Sequence, residues 1–287
     1  MIDKGTVGQS ESDAGMLDAL CSSDERPAFV PRITIVCAHA DDEVIGAGGR
    51  LPHLPDVHVV HVTDGAPRDM TDAIANGFTS REAYARARAE ERERALALAR
   101  IPADRIHGIG LVDQEVSFAL PALARQLLVT LDTYRPDLVL THAYEGGHPD
   151  HDATALAVRA AVELARTRDG AAPPIAEFTG YHWRGGAMRT GSFLPGITAE
   201  MWRVLLGAAD RRRKAAMFAC YATQQRVLAS FSTEAECFRL APTYDFTAPP
   251  HEGRLFYEWF DWRIDGREWR RLASAALEEL GEVATPC

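Results

Sequence analysis

Lysine is nearly missing from this chain. It occurs only at Lys4 and Lys214, so arginine carries almost all of the positive charge. Acidic residues outnumber basic ones by 41 to 31, a formal net charge of −10. That balance argues against a nucleic-acid partner, because neutralising phosphates takes clustered cations. No uninterrupted apolar run approaches the roughly 20 residues that cross a bilayer, so no membrane span is expected. The opening MIDKGTVGQSESDAG has no basic segment followed by an apolar one, and no secretory leader is read there. CxxC spacing is absent as well. The five cysteines (Cys21, Cys37, Cys220, Cys237 and Cys287) are odd in number. They suggest neither a disulfide framework nor a thiolate zinc site, and the expected compartment is a reducing cytoplasm.

What is present suits a globular enzyme-sized chain. With 287 residues and 46% hydrophobic composition, a sizeable core is available. Residues 1–29 are polar, Ser/Asp-rich and without period, which predicts a disordered tail ahead of a single domain over 30–287. RITIVCA (32–38), DVHVVHVTDG (56–65), RIHGIGLV (105–112), DLVLTHA (137–143) and AEFTGYHW (176–183) read as strands. Between and after them, 80–100, 120–134, 148–168 and 209–231 read as helices. The alternation predicts a Rossmann-like α/β fold: a mostly parallel sheet with helices on both faces and an irregular C-terminal extension. The glycine-rich 184–197 segment is expected to be a mobile loop that closes as a lid.

Two acid–histidine clusters follow strands. CAHADDEVIGAGG (37–49) comes directly after the first, and THAYEGGHPDHDA (141–153) ends the fourth. Ligands of open α/β sheets bind beyond the carboxyl ends of strands, where strand order reverses. If the first and fourth strands are neighbours there, His39, Asp42 and His151 converge. Two imidazoles and a carboxylate suit a first-row metal, most often zinc, and three protein ligands leave a position for water. The bland alternative for Asp41, Asp42 and Glu43 is a set of first-turn acids favoured by a helix N-terminus.

AHADDE and HPDH resemble the two signature motifs of the PIG-L/LmbE-like family of metal-dependent N-acetylglucosaminyl deacetylases. Ala40 stands where that family usually has proline, a change that removes a rigid φ but no ligand. The resemblance implies a zinc site of His39, Asp42 and His151, with another divalent first-row metal such as Fe2+ as the alternative ion. It implies Asp41 as general base and His148 as the histidine assisting the tetrahedral intermediate and leaving amine. Asp150 matches a residue that orients an imidazole from behind the ligands. The family's tyrosine two residues before the first HPDH histidine is Gly146 here, with Tyr144 and Glu145 nearby. The implied activity is hydrolytic removal of an N-acetyl group from an amino sugar or its conjugate. Similar proteins often assemble, so a homo-oligomer is among the arrangements the resemblance allows.

Substrate contacts are expected from Arg68 and Asp69, after the second strand, and from Glu145 and His182. The aromatic run 256–269 is read as core or subunit contact, the arginines of 81–94 as surface ion pairs, and Arg211–Lys214 as a solvated helix face. Three rival readings stand beside the hydrolase. A nucleotide-binding dehydrogenase fits poorly, because three acids occupy the turn where a pyrophosphate would sit. A non-haem iron oxygenase would use the same two histidines and one carboxylate. A non-catalytic metal-stabilised binding domain would have no use for Asp41 and His148 beside a ligand set.

Overall fold

The structure, a computed structural model, describes residues 4–22, 31–196 and 199–284. Its elements begin with α1 (Lys4–Cys21), β1 (Ile33–Cys37), α2 (Asp42–Ala47), β2 (Val57–Thr63), α3 (Thr71–Ala75) and α4 (Arg81–Leu98). There follow β3 (Ile106–Leu111), α5 (Leu120–Tyr134), β4 (Leu138–His142), α6 (Pro149–Asp169) and β5 (Ile175–Phe178). The chain continues through β6 (Tyr181–Arg184), β7 (Ala187–Thr190), β8 (Met201–Leu205), α7 (Ala208–Cys220), α8 (Gln225–Leu228), β9 (Ala235–Leu240) and α9 (Gly266–Ala284).

The main sheet has the order β3-β2-β1-β4-β5-β9-β8. Its first five strands are parallel, while β9 is antiparallel to both β5 and β8. Strand order reverses between β1 and β4, which pair directly from Ile33↔Leu138 to Ile35↔Leu140. The anticipated switch point is therefore real, and both clusters emerge from it.

The near-continuous apolar strands reflect burial on both faces. Side chains alternate across a strand, so Ile33, Ile35, Val57, Val59, Leu138 and Leu140 enter one core, whereas Val36, Val60, Val62 and Val139 enter the other. The second core is closed by α5, whose Leu120, Leu123, Ala124, Leu127 and Leu131 recur at helical spacing. α9 adds Trp269, Ala273, Ala276 and Leu280 on a face of the same kind. Each fully buried leucine of these stripes contributes roughly 1.5–3 kcal/mol.

Several local expectations change. The tail is helical over Lys4–Cys21: Leu17 and Leu20 are fully buried against the first core, and Arg50 Nε donates to Leu20 O at 2.8 Å. Residues 23–30 lie outside the described residues. The strand expected over 176–183 divides at Thr179–Gly180 into β5 and β6. β6 and β7 form a hairpin joined through Gly185 and Gly186, so the first half of the supposed lid, 184–190, is a hairpin, while residue 197 lies outside the described residues. The helix expected over 209–231 breaks after Cys220, where Tyr221 turns inward and donates to Glu43 Oε1 (2.5 Å). Gln225 Nε2 then satisfies the carbonyls of Phe218 and Tyr221. The C-terminal part is irregular over 241–255 but also supplies β8, β9 and α9. Lys214 is not on a solvated face. It is fully buried, donating to Glu236 Oε1 (2.7 Å) and to Ile45 O (2.9 Å) at the end of α2.

Among the described residues no helix is long and apolar enough to cross a membrane.

Candidate active site

β1 ends at Cys37, and the chain turns sharply before α2 begins. Asp41 makes that turn with φ 117°, outside the range most side chains adopt. Such a conformation costs on the order of 1–3 kcal/mol and persists only where the surroundings enforce it. Here Asp41 O accepts from the N–H groups of Val44 and Ile45, Asp41 N–H donates to Glu43 Oε2, and Arg88 Nη2 donates to Ala40 O at 2.6 Å. His39 and Asp42 consequently face the same space, with His39 N–H donating to Asp42 Oδ2 (2.8 Å).

From β4 the second cluster arrives. His148 caps α6, its Nδ1 accepting from Asp150 N–H (3.1 Å), and His151 lies in the first turn. Gly147 makes the approach possible: a Cβ there would stand 2.0 Å from the Tyr181 carbonyl oxygen of β6.

Ligating atoms of three side chains then come together. His39 Nδ1 is 3.2 Å from His151 Nε2 and 3.4 Å from Asp42 Oδ2, and His151 Nε2 is 3.2 Å from Asp42 Oδ1. Bonds of about 2.0–2.2 Å in tetrahedral coordination separate neighbouring ligands by about 3.3–3.6 Å. The three side chains thus approach one another at the spacing of such ligands, with Asp42 turning one oxygen to each imidazole. His148 belongs to the same cluster, since one ligating atom from each of His39, His148 and His151 falls within a 4.8 Å span.

The neighbours of these groups set their protonation. His39 Nε2 points at Asp113 Oδ1 (2.9 Å) and Asp150 Oδ2 (3.4 Å), which leaves Nδ1 for the shared space. Burial opposes a charge on His39, but Asp113, Asp150 and Asp42 together push its pKa well above the usual value. That surplus of negative charge suits a divalent cation in place of the proton. Burial also opposes ionisation of Asp42, yet His151 and His142 hold it well below the usual carboxylate range. Asp41 is different. Burial dominates over the guanidinium of Arg88, 3.3 Å away, and raises its carboxyl to about 7. A general base is most effective with a pKa near the working pH.

Residues 34–162 match the family model described as PIG-L: GlcNAc-PI de-N-acetylase. This part of the chain is similar to the PIG-L family. A 1D-myo-inositol 2-acetamido-2-deoxy-alpha-D-glucopyranoside deacetylase of Mycobacterium sp. (strain KMS) is 30% identical over 164 residues, 48% of this chain and 52% of that protein. The chain thus spans about half the length of the curated relatives it matches. Among solved structures, a pseudoaglycone deacetylase of an antimicrobial reagent superposes with TM-score 0.56 at 20% identity, covering 75% of this chain and 98% of that one. N,N'-diacetylchitobiose deacetylase from Pyrococcus horikoshii gives 0.55 at 17% identity, covering 84% and 94%. At such identities the likeness shows the shared fold. PIG-L deacetylases are metalloenzymes, and the cluster has the composition of a metal site.

His39, Asp41, Asp42, His148 and His151, from the two acid–histidine clusters, all line one cavity of about 140 Å3. Asp150 sits beneath it, fully buried, accepting from Gln114 N–H (2.6 Å) and Val116 N–H (3.2 Å). Its carboxylate therefore fixes the loop carrying Asp113 and faces His39, while only its backbone N–H touches His148.

The expected substrate contacts are elsewhere. Arg68 is exposed and paired with Glu115 (2.6 Å), and Asp69 accepts from Thr71 N–H on the surface. Both side chains follow a strand end but turn to solvent. Glu145 and His182 are buried behind the cavity, 3.4 Å apart, and Glu145 also accepts from Leu194 N–H. Tyr144 donates to Ala248 O and packs on Trp269, so it takes no part in the cavity.

In their place the cavity presents Asp72, Arg88, Asp113, Tyr181 and Trp262. Arg88 was expected in a surface ion pair, but it is 3% exposed and its Nε and Nη1 have no hydrogen-bond partner. Asp113 follows β3 as His39 follows β1, and that position at a strand end was the available signal. His142 stacks on His151 at 4.1 Å and accepts from Ala38 N–H. Burial, with His151 beside it, pushes His142 down to about 4, so it supports the site as a neutral ring. The glycines after Asp42 make no open cradle for a pyrophosphate: a Cβ on Gly46 would lie 2.3 Å from the Phe178 ring.

Proposed function

We propose that this chain is a zinc-dependent amide hydrolase that removes the N-acetyl group of an amino sugar or amino-sugar conjugate. The observation that carries the reading is the triangle of the His39, Asp42 and His151 side chains, each pair 3.2–3.4 Å apart at its ligating atoms, with the Asp41 carboxyl on the same cavity. The named activities of the mycobacterial relative and of the structural neighbours support it. His39, Asp42 and His151 would hold the ion. When bound, zinc lowers the pKa of water towards neutrality and polarises a carbonyl oxygen.

The remaining chemistry falls to the chain itself. Asp41 accepts the proton of the attacking water as the new C–O bond forms at the acetamide carbon. When the C–N bond breaks, Asp41 returns that proton to the departing amine, so acetate and a free amino group result. The resemblance gives His148 the part of assisting the intermediate and the leaving amine. Its Nδ1 already accepts from Asp150 N–H, and burial beside His39 and His151 pulls its pKa well below the usual value. His148 therefore acts as a neutral ring whose Nε2–H donates to the developing oxyanion. Such donors supply roughly 3–4 kcal/mol of transition-state stabilisation.

The test is a screen for free-amine release over N-acetylated glycosides, with and without a chelator. Release that the chelator abolishes and zinc restores is expected. Release indifferent to chelator, none across the panel, or turnover that requires oxygen would overturn the reading. Asp41→Asn is expected to keep its metal and lose about 10²–10⁴-fold in turnover.

A further inference from the structure

The catalytic cavity, about 140 Å3, is smaller than the roughly 300–1,000 Å3 of sites that enclose a whole ligand. It has room for the acetamide and part of the sugar only. Its mouth is edged by aromatic rings. Trp262 stands 4.7 Å from the His148 ring and stacks on Phe260 at 4.8 Å and 18°. Phe260 meets Phe256 at 5.3 Å, and Phe256 returns to the cavity through Tyr181 at 5.4 Å. Beyond this loop lie Trp183, stacked 5.8 Å from Phe256, and Trp259, 5.2 Å from Trp183.

Burial separates this group from an ordinary core. Tyr257 and Trp269 of the same stretch are 1% and 0% exposed, whereas Trp259 is 50% and Phe260 44% exposed. Leaving two large rings in water is unfavourable unless something covers them. The platform is also held in place. Arg254 lies 4.0 Å over the Trp259 ring and donates to Glu258 O. On β6, Tyr181 and Trp183 are two residues apart and so share a face, one at the catalytic cavity and the other at a second cavity of about 480 Å3.

We propose that this aromatic rim is a subsite for the aglycone of the substrate, and that the aglycone is aromatic. The inference rests on the amide-hydrolase reading for its chemistry but on separate residues for its binding. A sugar held with its acetamide at His39 and Asp41 would direct its glycosidic substituent past Trp262 and on to Phe260 and Trp259. Flat rings would stack there, while a methyl group would reach none of them.

Two measurements separate the inferences. The first compares kcat/KM for phenyl and methyl 2-acetamido-2-deoxyglucosides. The phenyl compound is expected to be favoured about tenfold, mainly through KM, the equivalent of one good aromatic pair. Trp259→Ala and Phe260→Ala, both at exposed positions, are expected to bring the ratio towards one. The second is calorimetric binding of the phenyl glycoside to the metal-free protein, expected in the wild type and weakened in both variants. Equal kcat/KM for the two glycosides, or variants that keep the preference and the binding, would overturn the subsite and leave the hydrolase reading standing. Binding that the variants weaken, with neither glycoside hydrolysed, would uphold the subsite and overturn the reaction.

Discussion

Arg88 and Asp41 form an ion pair inside the protein, 3.3 Å between Nη2 and Oδ2, with side chains 3% and 8% exposed. The guanidinium also donates to the carbonyl of Ala40, so one side chain both balances the charge of the proposed base and braces the strained turn. Removing one member of a buried pair leaves the other uncompensated and costs about 3–5 kcal/mol. Arg88→Met is expected to lose stability on that scale in urea denaturation. Arg88→Lys should retain part of it, because the charge remains but the planar guanidinium whose Nη2 reaches both oxygens does not. Equal stability of Arg88→Met and wild type would mean that solvent, not Arg88, compensates Asp41.

Metal binding should separate residues that hold the ion from the residue beside it. A ligand that binds only the folded state at 100 times its Kd adds about 2.7 kcal/mol to stability. Zinc is therefore expected to raise the thermal midpoint of the wild type and of Asp41→Asn. It should do nothing for Asp42→Ala or His151→Ala, which each lose a corner of the 3.2–3.4 Å triangle. A full zinc response in Asp42→Ala would remove that carboxylate from the ligand set.

A second histidine group predicts a pH effect on stability away from the site. His58 Nδ1 lies 3.0 Å from His107 Nε2, and both rings stack on Tyr134. Burial lowers the pKa of each, aided at His58 by Arg105 and His107, and at His107 by His61. The unfolded chain therefore takes up protons at a pH where the folded chain does not. Stability from this pair is complete above the ordinary histidine pKa of about 6.5 and declines as pH falls below it. Denaturation at pH 7.5 and 5.5 should show a smaller loss in His58→Phe, which keeps a ring on Tyr134 but cannot titrate, than in the wild type.

How much of this could be read from the sequence varied with the range of the interaction. The strands were legible because both faces are covered, which writes a nearly unbroken apolar run into each. The two motifs were legible because each is local, and only their meeting across β1 and β4 needed three dimensions. α9 was missed because half of its buried stripe is alanine, which scarcely contrasts with the residues between. α1 was missed because the buried apolar residues among its described side chains cluster at its end, around Leu17 and Leu20, in a segment polar overall. Arg88 and Lys214 look like members of charged helix faces. Their buried partners, Asp41 and Glu236, are 47 and 22 residues away. Asp113 carries no motif at all. Arg68 and Asp69 were favoured for lying just past a strand end, but the cavity is reached instead by Asp72 and by Arg88 one helix later.

The last prediction concerns a residue without a side chain. Gly147 passes so close to β6 that a methyl group would stand 2.0 Å from the Tyr181 oxygen and 3.1 Å from its carbonyl carbon. Backbone atoms cannot swing aside as a flexible side chain can, so Gly147→Ala must displace either β6 or the turn that delivers His148. Overpacking of this kind costs about 1–3 kcal/mol or more. Moving β6 also carries the Tyr181 ring away from His151, 5.3 Å from it. A lowered thermal midpoint, together with reduced amine release in the assay of the proposed reaction, is expected. Gly108→Ala is the control, because in β3 the nearest atom to its added methyl is Arg92 Nη1 at 3.9 Å and the backbone needs no special φ. That variant should stay within about 0.5 kcal/mol of wild type. If Gly147→Ala behaved the same way, the close passage between this turn and β6 would not be what holds the second motif against the first.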